Sequence, residues 1–325
     1  MLRFEFTAAD LAGVRFAHSP MAEVVASAVA LRRSSRFEMY ATWRAEVSAR
    51  LDGRRLSSFD ALVRGPHRHV PDFLTPVPTV VRPRLRDELA VVAATPLDRV
   101  AAEVAEAWDG ASAPPAVARF ARDPRGALDA LIGEIREYFA VALAPYWPRL
   151  RAVAEADIAR RGRAAAEQGS RAIVAALHPG VRWDGEALTV DYGPQHHGDF
   201  TAGDLHFTLV PSAFTGPKVL SLARPDTGRA LFYPPYGFGA VWTAPAVSPR
   251  LGALLGPTRA AVLSLVGAPH STGEVADALA LAPATASHHL TILRDAGLVT
   301  AYRTGRRLLY ERTPLGDDLS SRSGA

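Results

Sequence analysis

Apolar positions recur at helical spacing through most of the first half of the chain. Ser19-Pro20 reads as an N-cap followed by proline at the first helical position, opening a helix through Val24, Val25, Ala28 and Leu31. A second helical run spans Phe37 to Leu51 and stops at Gly53. Pro66 to Pro83 then holds five prolines, among them Pro71-Asp72-Phe73-Leu74-Thr75-Pro76. No helix interior tolerates that density, so this stretch is an ordered loop or a connector. Helical patterning resumes near Leu85 and runs to about Leu177, with breaks at Pro96 and at Pro114-Pro115. It is clearest over Ala127–Ala144 and Leu150–Ala166.

The pattern changes at His178-Pro179-Gly180. Val181-Arg182-Trp183 and Ala187-Leu188-Thr189-Val190-Asp191-Tyr192 read as two short strands joined by an Asp184-Gly185 turn. Leu205–Val210, Lys218–Leu222, Ala230–Tyr233 and Gly239–Trp242 are further strands between glycine and proline punctuation, a β-rich section of about 65 residues. No internal repeat or low-complexity tract is present.

From about Pro249 the spacing tightens. One helix runs from Pro257 to Val266 and breaks at Gly267-Ala268-Pro269. A second is capped by Ser271 or Thr272 and ends near Ala280, and a third runs from Pro283 to Gly297. Strands Leu298–Thr304 and Arg307–Arg312 follow around a Gly305 turn. Three helices and two strands in under 60 residues is the winged helix-turn-helix order. The expected fold class is α+β, mainly α, in three stretches. Residues 1–250 form an N-terminal region for effector binding or dimerisation, helical to about 178 and β-rich from about 180 to 245. Residues 251–315 form the winged helix, and residues 316–325 a flexible tail.

Within the winged helix, Val275, Ala276 and Leu279 face a core from the second helix, and Leu281-Ala282 is the turn. On the third helix Ala286, Leu290, Leu293 and Gly297 share one face. At about 100° per residue, Ala284, Thr285, His288 and Asp295 lie on the opposite face. Small and polar side chains at the start of a helix suit close insertion into a DNA major groove, and the free N–H groups there suit a phosphate. Thr285, Ser287 and His288 are the expected base or phosphate contacts, with Ala284 beside them. Ser287 sits at the edge of the face and could cap or pack instead. His289 is read as packed on the flank. Arg303, Arg306 and Arg307 flank the turn at Thr304-Gly305, where a basic wing reaches phosphates or the minor groove. Between Arg294 and Arg312 five arginines stand against Asp295 and Glu311, a surplus of three that implies salt-sensitive affinity for any DNA sequence.

Composition narrows the alternatives. The 325 residues suit about two domains. There is no cysteine, which excludes a disulfide framework, thiolate zinc or iron–sulfur sites and cysteine nucleophiles. Lys218 is the one lysine among 37 basic residues, and the formal net charge is +4. No apolar stretch approaches the roughly 20 residues that cross a bilayer, and Glu5 stands where an export signal would be basic and then apolar, so a cytoplasmic protein with no membrane partner is expected. His196-His197-Gly198-Asp199, with His206 nearby, reads as a polar loop and not as a metal site, and His67 and His69 have strand-like spacing but no acid partner nearby. Glu155 and Asp157 lie among arginines and read as a solvated, ion-paired helix face. Tyr236-Gly237-Phe238-Gly239 lacks the features of a phosphate loop, and no Gly-x-Ser-x-Gly elbow occurs. The five tryptophans read as core, one or two of them able to line a cavity. No catalytic residue, metal site or cofactor is expected.

Pro257-Thr258-Arg259, Ser287-His288-His289-Leu290-x-x-Leu293-x-x-Ala296-Gly297-Leu298-Val299 and Gly305-Arg306-Arg307-x-x-x-Tyr310 resemble the ArsR-type winged-helix repressors over about 60 of the 325 residues. The larger region, with Ser19-Pro20 and its Pro71–Pro76 segment, resembles an uncharacterised domain found ahead of such a module in actinobacterial regulators. The resemblance implies a homodimer on palindromic double-stranded DNA and repression. Metal-sensing members carry cysteines on their helices; this chain has none, which leaves only nitrogen and oxygen ligands chemically open. The expected function is a sequence-specific transcription regulator released by a small molecule held in the N-terminal region. An enzyme or an interaction scaffold placed on DNA by the winged helix is the rival reading.

Overall fold

The computed structural model describes the chain except residues 1, 6–12, 33–37, 67–68, 175–176, 186, 192–197, 202–206, 217, 225–227, 243–248, 268, 280, 305–306 and 323–325. It divides into two compact units, Met1–Phe238 and Gly239–Ala325.

The larger unit begins with a strand that the helical pattern hides, β1 (Leu2–Glu5), followed by β2 (Arg15–Phe16). Its helices are α1 (Pro20–Arg32), α2 (Ala41–Leu51), α3 (Ser57–Val63), α4 (Leu85–Ala93), α5 (Leu97–Ala107), α6 (Pro115–Arg122), α7 (Pro124–Tyr138), α8 (Trp147–Gln168) and α9 (Arg171–Val174). Between α7 and α8 a π-helical turn, Phe139–Leu143, and a 3₁₀ turn, Ala144–Tyr146, replace the expected continuation to Ala144. Pro145 and Pro148 lack the amide hydrogens that an unbroken helix would use there.

The β-rich section contains β3 (Val181–Trp183), β4 (Ala187–Val190), β5 (Gly198–Thr201), β6 (Phe207–Pro211), β7 (Leu220–Arg224) and β8 (Gly228–Tyr233). They form two sheets, ordered β3-β4-β1-β5 and β2-β6-β8-β7. β1 pairs antiparallel with β4, Phe4 opposite Leu188, and parallel with β5. The two sheets share one core: Phe4, Leu188 and Val190 from the first meet Phe207, Leu209, Leu231 and Tyr233 from the second. Phe4 and Phe207 pack edge to face, centroids 5.5 Å apart. Gly198 and Asp199, expected in a loop, belong to β5, while His196, His197 and His206 lie outside the described residues, as does His67. The strand expected at Gly239–Trp242 is instead a 3₁₀ turn over Phe238–Val241, with no ladder partner to hold it extended. Among the tryptophans only Trp43 is fully enclosed; the other four are half-buried.

Helix α1 is buried on nearly all sides, polar residues included. Glu23 accepts hydrogen bonds from the Ser212 hydroxyl (2.8 Å) and from the Ala213 and Phe214 amides (2.8 and 3.3 Å). Glu88 of α4 accepts from the Met21 amide at 2.7 Å. Burial pushes both carboxyls up to about 7, against the pull of those donors. His18, stacked on Trp147 with centroids 4.8 Å apart, is pushed down to about 3 by burial first, then by Arg151 and Arg82.

Asp157 corrects the expected solvated face. It is 1% exposed and holds Arg161 (2.8 Å), Arg160 (2.7 Å) and the Tyr233 hydroxyl (2.7 Å), tying α8 to β8. Burial works to raise its carboxyl, but the arginines and the Tyr233 donor win and hold it below the ordinary value. Glu155 is paired with Arg82 at 2.9 Å.

The smaller unit contains α10 (Pro249–Leu255), α11 (Pro257–Leu265), α12 (Thr272–Ala278), α13 (Pro283–Asp295), β9 (Val299–Thr304), β10 (Arg307–Arg312) and α14 (Pro314–Arg322). Its core joins Ala260, Leu263, Val275, Ala286, Leu290, Leu293, Val299 and Tyr310. Residues 316–322, expected in a flexible tail, belong to helix α14. The Thr313 hydroxyl accepts the Gly316 amide at 3.2 Å, and Leu319 packs on the core. A Cβ on Gly316 would lie 2.2 Å from the Leu298 carbonyl oxygen, so glycine is what lets α14 approach so closely.

Candidate nucleic-acid interface

The roll of α13 follows from its core residues. Ala286 and Leu290 are fully buried and Leu293 nearly so, which turns Ala284, Thr285, Ser287 and His288 to solvent. Ser287 shows no cap bond; the helix opens at Ala282 in extended conformation without a side-chain cap, with Pro283 at its first position. Among the described residues no side chain caps the amides of the first turn, beside the small, exposed Ala284 and the exposed Thr285. His288 is exposed, and its ring lies 5.7 Å from that of His289. His289 is half-buried and its Nδ1 has no hydrogen-bond partner among the described residues; desolvation, then His288 and Arg259, hold its imidazole below the usual value.

Helix α12 is fixed by a reciprocal cap. The Ser271 amide and hydroxyl both donate to Glu274 Oε2 at 2.9 Å, and the Glu274 amide donates back to Ser271 Oγ at 3.4 Å. Its core face, Val275 and Ala276, is buried, and Leu279 packs from the edge.

β9 and β10 form an antiparallel wing with Arg307 opposite Thr304 and Leu308 opposite Arg303. Cross-strand partners share a face and neighbours along a strand alternate, so Arg303 lies with Leu308 on one face of the ribbon and Arg307 on the other. The base of the wing is held by a two-way backbone bridge between His270 and Tyr310 (3.0 and 2.8 Å). Arg306 lies outside the described residues.

The charge surplus read from the sequence is smaller in space. Arg294 pairs with Asp295 (2.9 Å), Arg312 with Asp317 (2.9 Å), and Arg307 with Glu274 Oε1. Glu274 and Asp317 lie outside the Arg294–Arg312 stretch yet pair with two of its arginines. Arg303 is exposed and has no ion-pair partner among the described residues. The sequence signal for Glu274 was its place three residues after the Ser271 cap; nothing local links it to Arg307, 33 positions on.

Among the described residues no three His, Asp or Glu side chains gather as a metal site would need, and no helix is long and apolar enough to cross a membrane.

Comparison with known proteins agrees with this geometry. A family model described as a helix-turn-helix domain matches residues 254–301, from the end of α10 into β9. The "HTH-type transcriptional repressor SmtB" of Mycobacterium tuberculosis, in strains CDC 1551 / Oshkosh and ATCC 25618 / H37Rv, is 36% identical over 110 residues, covering 30% of this chain and 82% of the relative. No solved structure matches the chain. With a correctly ordered winged helix, an exposed polar face on its third helix and this relative, the chain belongs to the ArsR-type family of DNA-binding transcription regulators.

Proposed function

We propose that this regulator represses transcription as a homodimer, α13 reading base edges in the major groove of a palindromic site and a small molecule held by Met1–Phe238 releasing it. The observation that carries the reading is the exposed run Ala284, Thr285, Ser287 and His288 on a helix whose roll is fixed by buried Ala286, Leu290 and Leu293. Thr285, Ser287 and His288 supply hydrogen-bonding groups, and Ala284 keeps the approach open. Arg303, Arg306 and Arg307 are the cations the wing carries, Arg307 being paired with Glu274. Half-sites would lie about one helical turn, roughly 34–36 Å, apart. Repression is supported by the name of the matched relative. The winged helix needs only Gly239–Ala325, which leaves a large unit with its own core for the effector. A chain without cysteine offers no thiolate for a metal effector. The reading assigns no enzymatic activity and no cofactor.

The test is recovery and sequencing of genomic DNA bound by the full chain, followed by affinity measurements with the double variant Thr285→Ala, His288→Ala. Removing a side chain that touches a base edge costs about 1–3 kcal/mol on the specific site, with little change on random DNA. Equal weakening on both would assign these residues to the backbone and remove the base-reading role.

A further inference from the structure

We propose that Glu274 is a positioning residue that withholds the Arg307 guanidinium from DNA phosphates, so that the wing engages DNA with one cation fewer than its sequence carries. Glu274 is doubly committed. Its Oε2 receives both the amide and the hydroxyl of Ser271 at 2.9 Å, which locks the carboxylate at the start of α12. Its Oε1 takes the Nη2 of Arg307. Because the first pair of bonds fixes the rotamer, the carboxylate cannot follow Arg307 outward; the arginine must leave it to reach a phosphate. Both partners remain open to solvent, Arg307 at 46% and Glu274 at 31% side-chain exposure, so the pair is in competition with other anions and is not sealed in a core. Arg303 lies on the opposite face of the ribbon, without an ion-pair partner among the described residues, and is not under the same restraint. The Glu274 carboxyl is held below the usual range, where the bonds from Ser271 and Arg307 outweigh its desolvation, as a charge permanently present at neutral pH would be. The arrangement lowers the sequence-independent part of DNA affinity while leaving the face of α13 untouched, and so favours discrimination between sites.

The inference rests on the reading that the wing lies along phosphates, and the experiment separates the two. Glu274→Gln keeps the cap, since glutamine serves at that position of a capping box, and removes the charge. Binding of the full chain to random-sequence duplex DNA is followed by anisotropy across a salt series. This is done for the wild type, E274Q, R307A, E274Q/R307A and R303A. The expected result is that E274Q steepens the log–log salt slope by about 0.9, a change of about three- to fourfold in affinity over a fourfold change in salt. The same substitution should add nothing in the R307A background. Steepening of equal size in both backgrounds would show a general effect of removing an acid near DNA and would overturn the proposal. So would an unchanged slope in both, or weaker binding by E274Q at every salt concentration with a lowered melting temperature, the signature of a merely structural role. An unchanged slope in R303A overturns the phosphate reading of the wing, independently of what E274Q does.

Discussion

Raising the pH from about 5.5 to 6.5 should destabilise the Met1–Phe238 unit by on the order of 1 kcal/mol, and Glu88→Gln should largely abolish that slope. Burial holds Glu23 and Glu88 up to about 7, from ordinary values of 4.5. Between those values the unfolded chain has released both protons while the folded unit keeps them. Their contribution is therefore fully present below 4.5 and is lost as pH rises toward 7, at about 1.4 kcal/mol per pH unit for each proton retained. His18 runs the other way. Held down to about 3 from 6.5, it stays neutral in the fold while the unfolded chain takes up a proton. Its contribution is present above 6.5 and lost as pH falls toward 3. Where the windows overlap, two falling contributions meet one rising contribution, and the net slope is close to that of one proton. Asp157, held below its ordinary 3.8, changes only beneath this window, and Tyr40 and Tyr138 are pushed up, away from it. Glutamine at 88 still accepts the Met21 amide but cannot ionise, so one falling contribution remains against one rising, and the line becomes nearly flat. The assay is urea unfolding of the full chain at several pH values, followed by tryptophan fluorescence, since Trp43, Trp108, Trp147 and Trp183 all belong to this unit. Wild-type stability that is constant or rises over the interval, or a Glu88→Gln protein that keeps the wild-type slope, would refute the reasoning.

Leu290→Ala removes a fully buried side chain from the small core under α13 and should cost about 2–5 kcal/mol, with loss of DNA binding at 37 °C in anisotropy; full binding with an unchanged Gly239–Ala325 unfolding transition would contradict that core. Asp157→Ala removes the buried carboxylate that Arg161, only 3% exposed, holds at 2.8 Å and should cost about 3–5 kcal/mol in denaturant unfolding at neutral pH. A loss under about 1 kcal/mol would mean that the pair is a surface contact after all.

The winged helix was legible because each of its elements announces itself within a few residues. Pro257, Ser271 and Pro283 mark starts, Gly297 at φ 71° marks a stop, and the spacing of Ala286, Leu290 and Leu293 gives the buried face of α13. The larger unit hides its organisation in long-range pairing. β1 is four residues long, and its register depends on Leu188 and Val190, more than 180 positions away. No local pattern reports that partner. Helix α1 carries little amphipathic signal because its polar residues are buried as well as its apolar ones. Glu23 is tolerated inside only because Ser212, Ala213 and Phe214 arrive from far along the chain to satisfy it. Asp157 misleads for a related reason. Arginines three and four residues later fit a solvated helix face as well as a buried ion pair, and the Tyr233 hydroxyl and the Tyr236 amide, 76 and 79 residues on, decide between them.

The candidate site divides along the same line. Which side chains α13 presents is a matter of helical period, and Thr285 and His288 could be read directly. How much charge the wing can offer is not a local quantity. Counting arginines between Arg294 and Arg312 treats every guanidinium as available, but a folded chain brings acids onto them from other elements. Glu274 serves the cap of α12 and the wing at once, so one side chain fixes both the helix that precedes α13 and the state of a wing cation. Affinity for DNA of any sequence scales with the cations free to displace counterions, while discrimination depends on contacts to base edges. A regulator that pairs its wing arginine internally lowers the first quantity without touching the second, and the two-way backbone bridge between His270 and Tyr310 joins the segment leading into α12 to β10, the strand that carries that arginine.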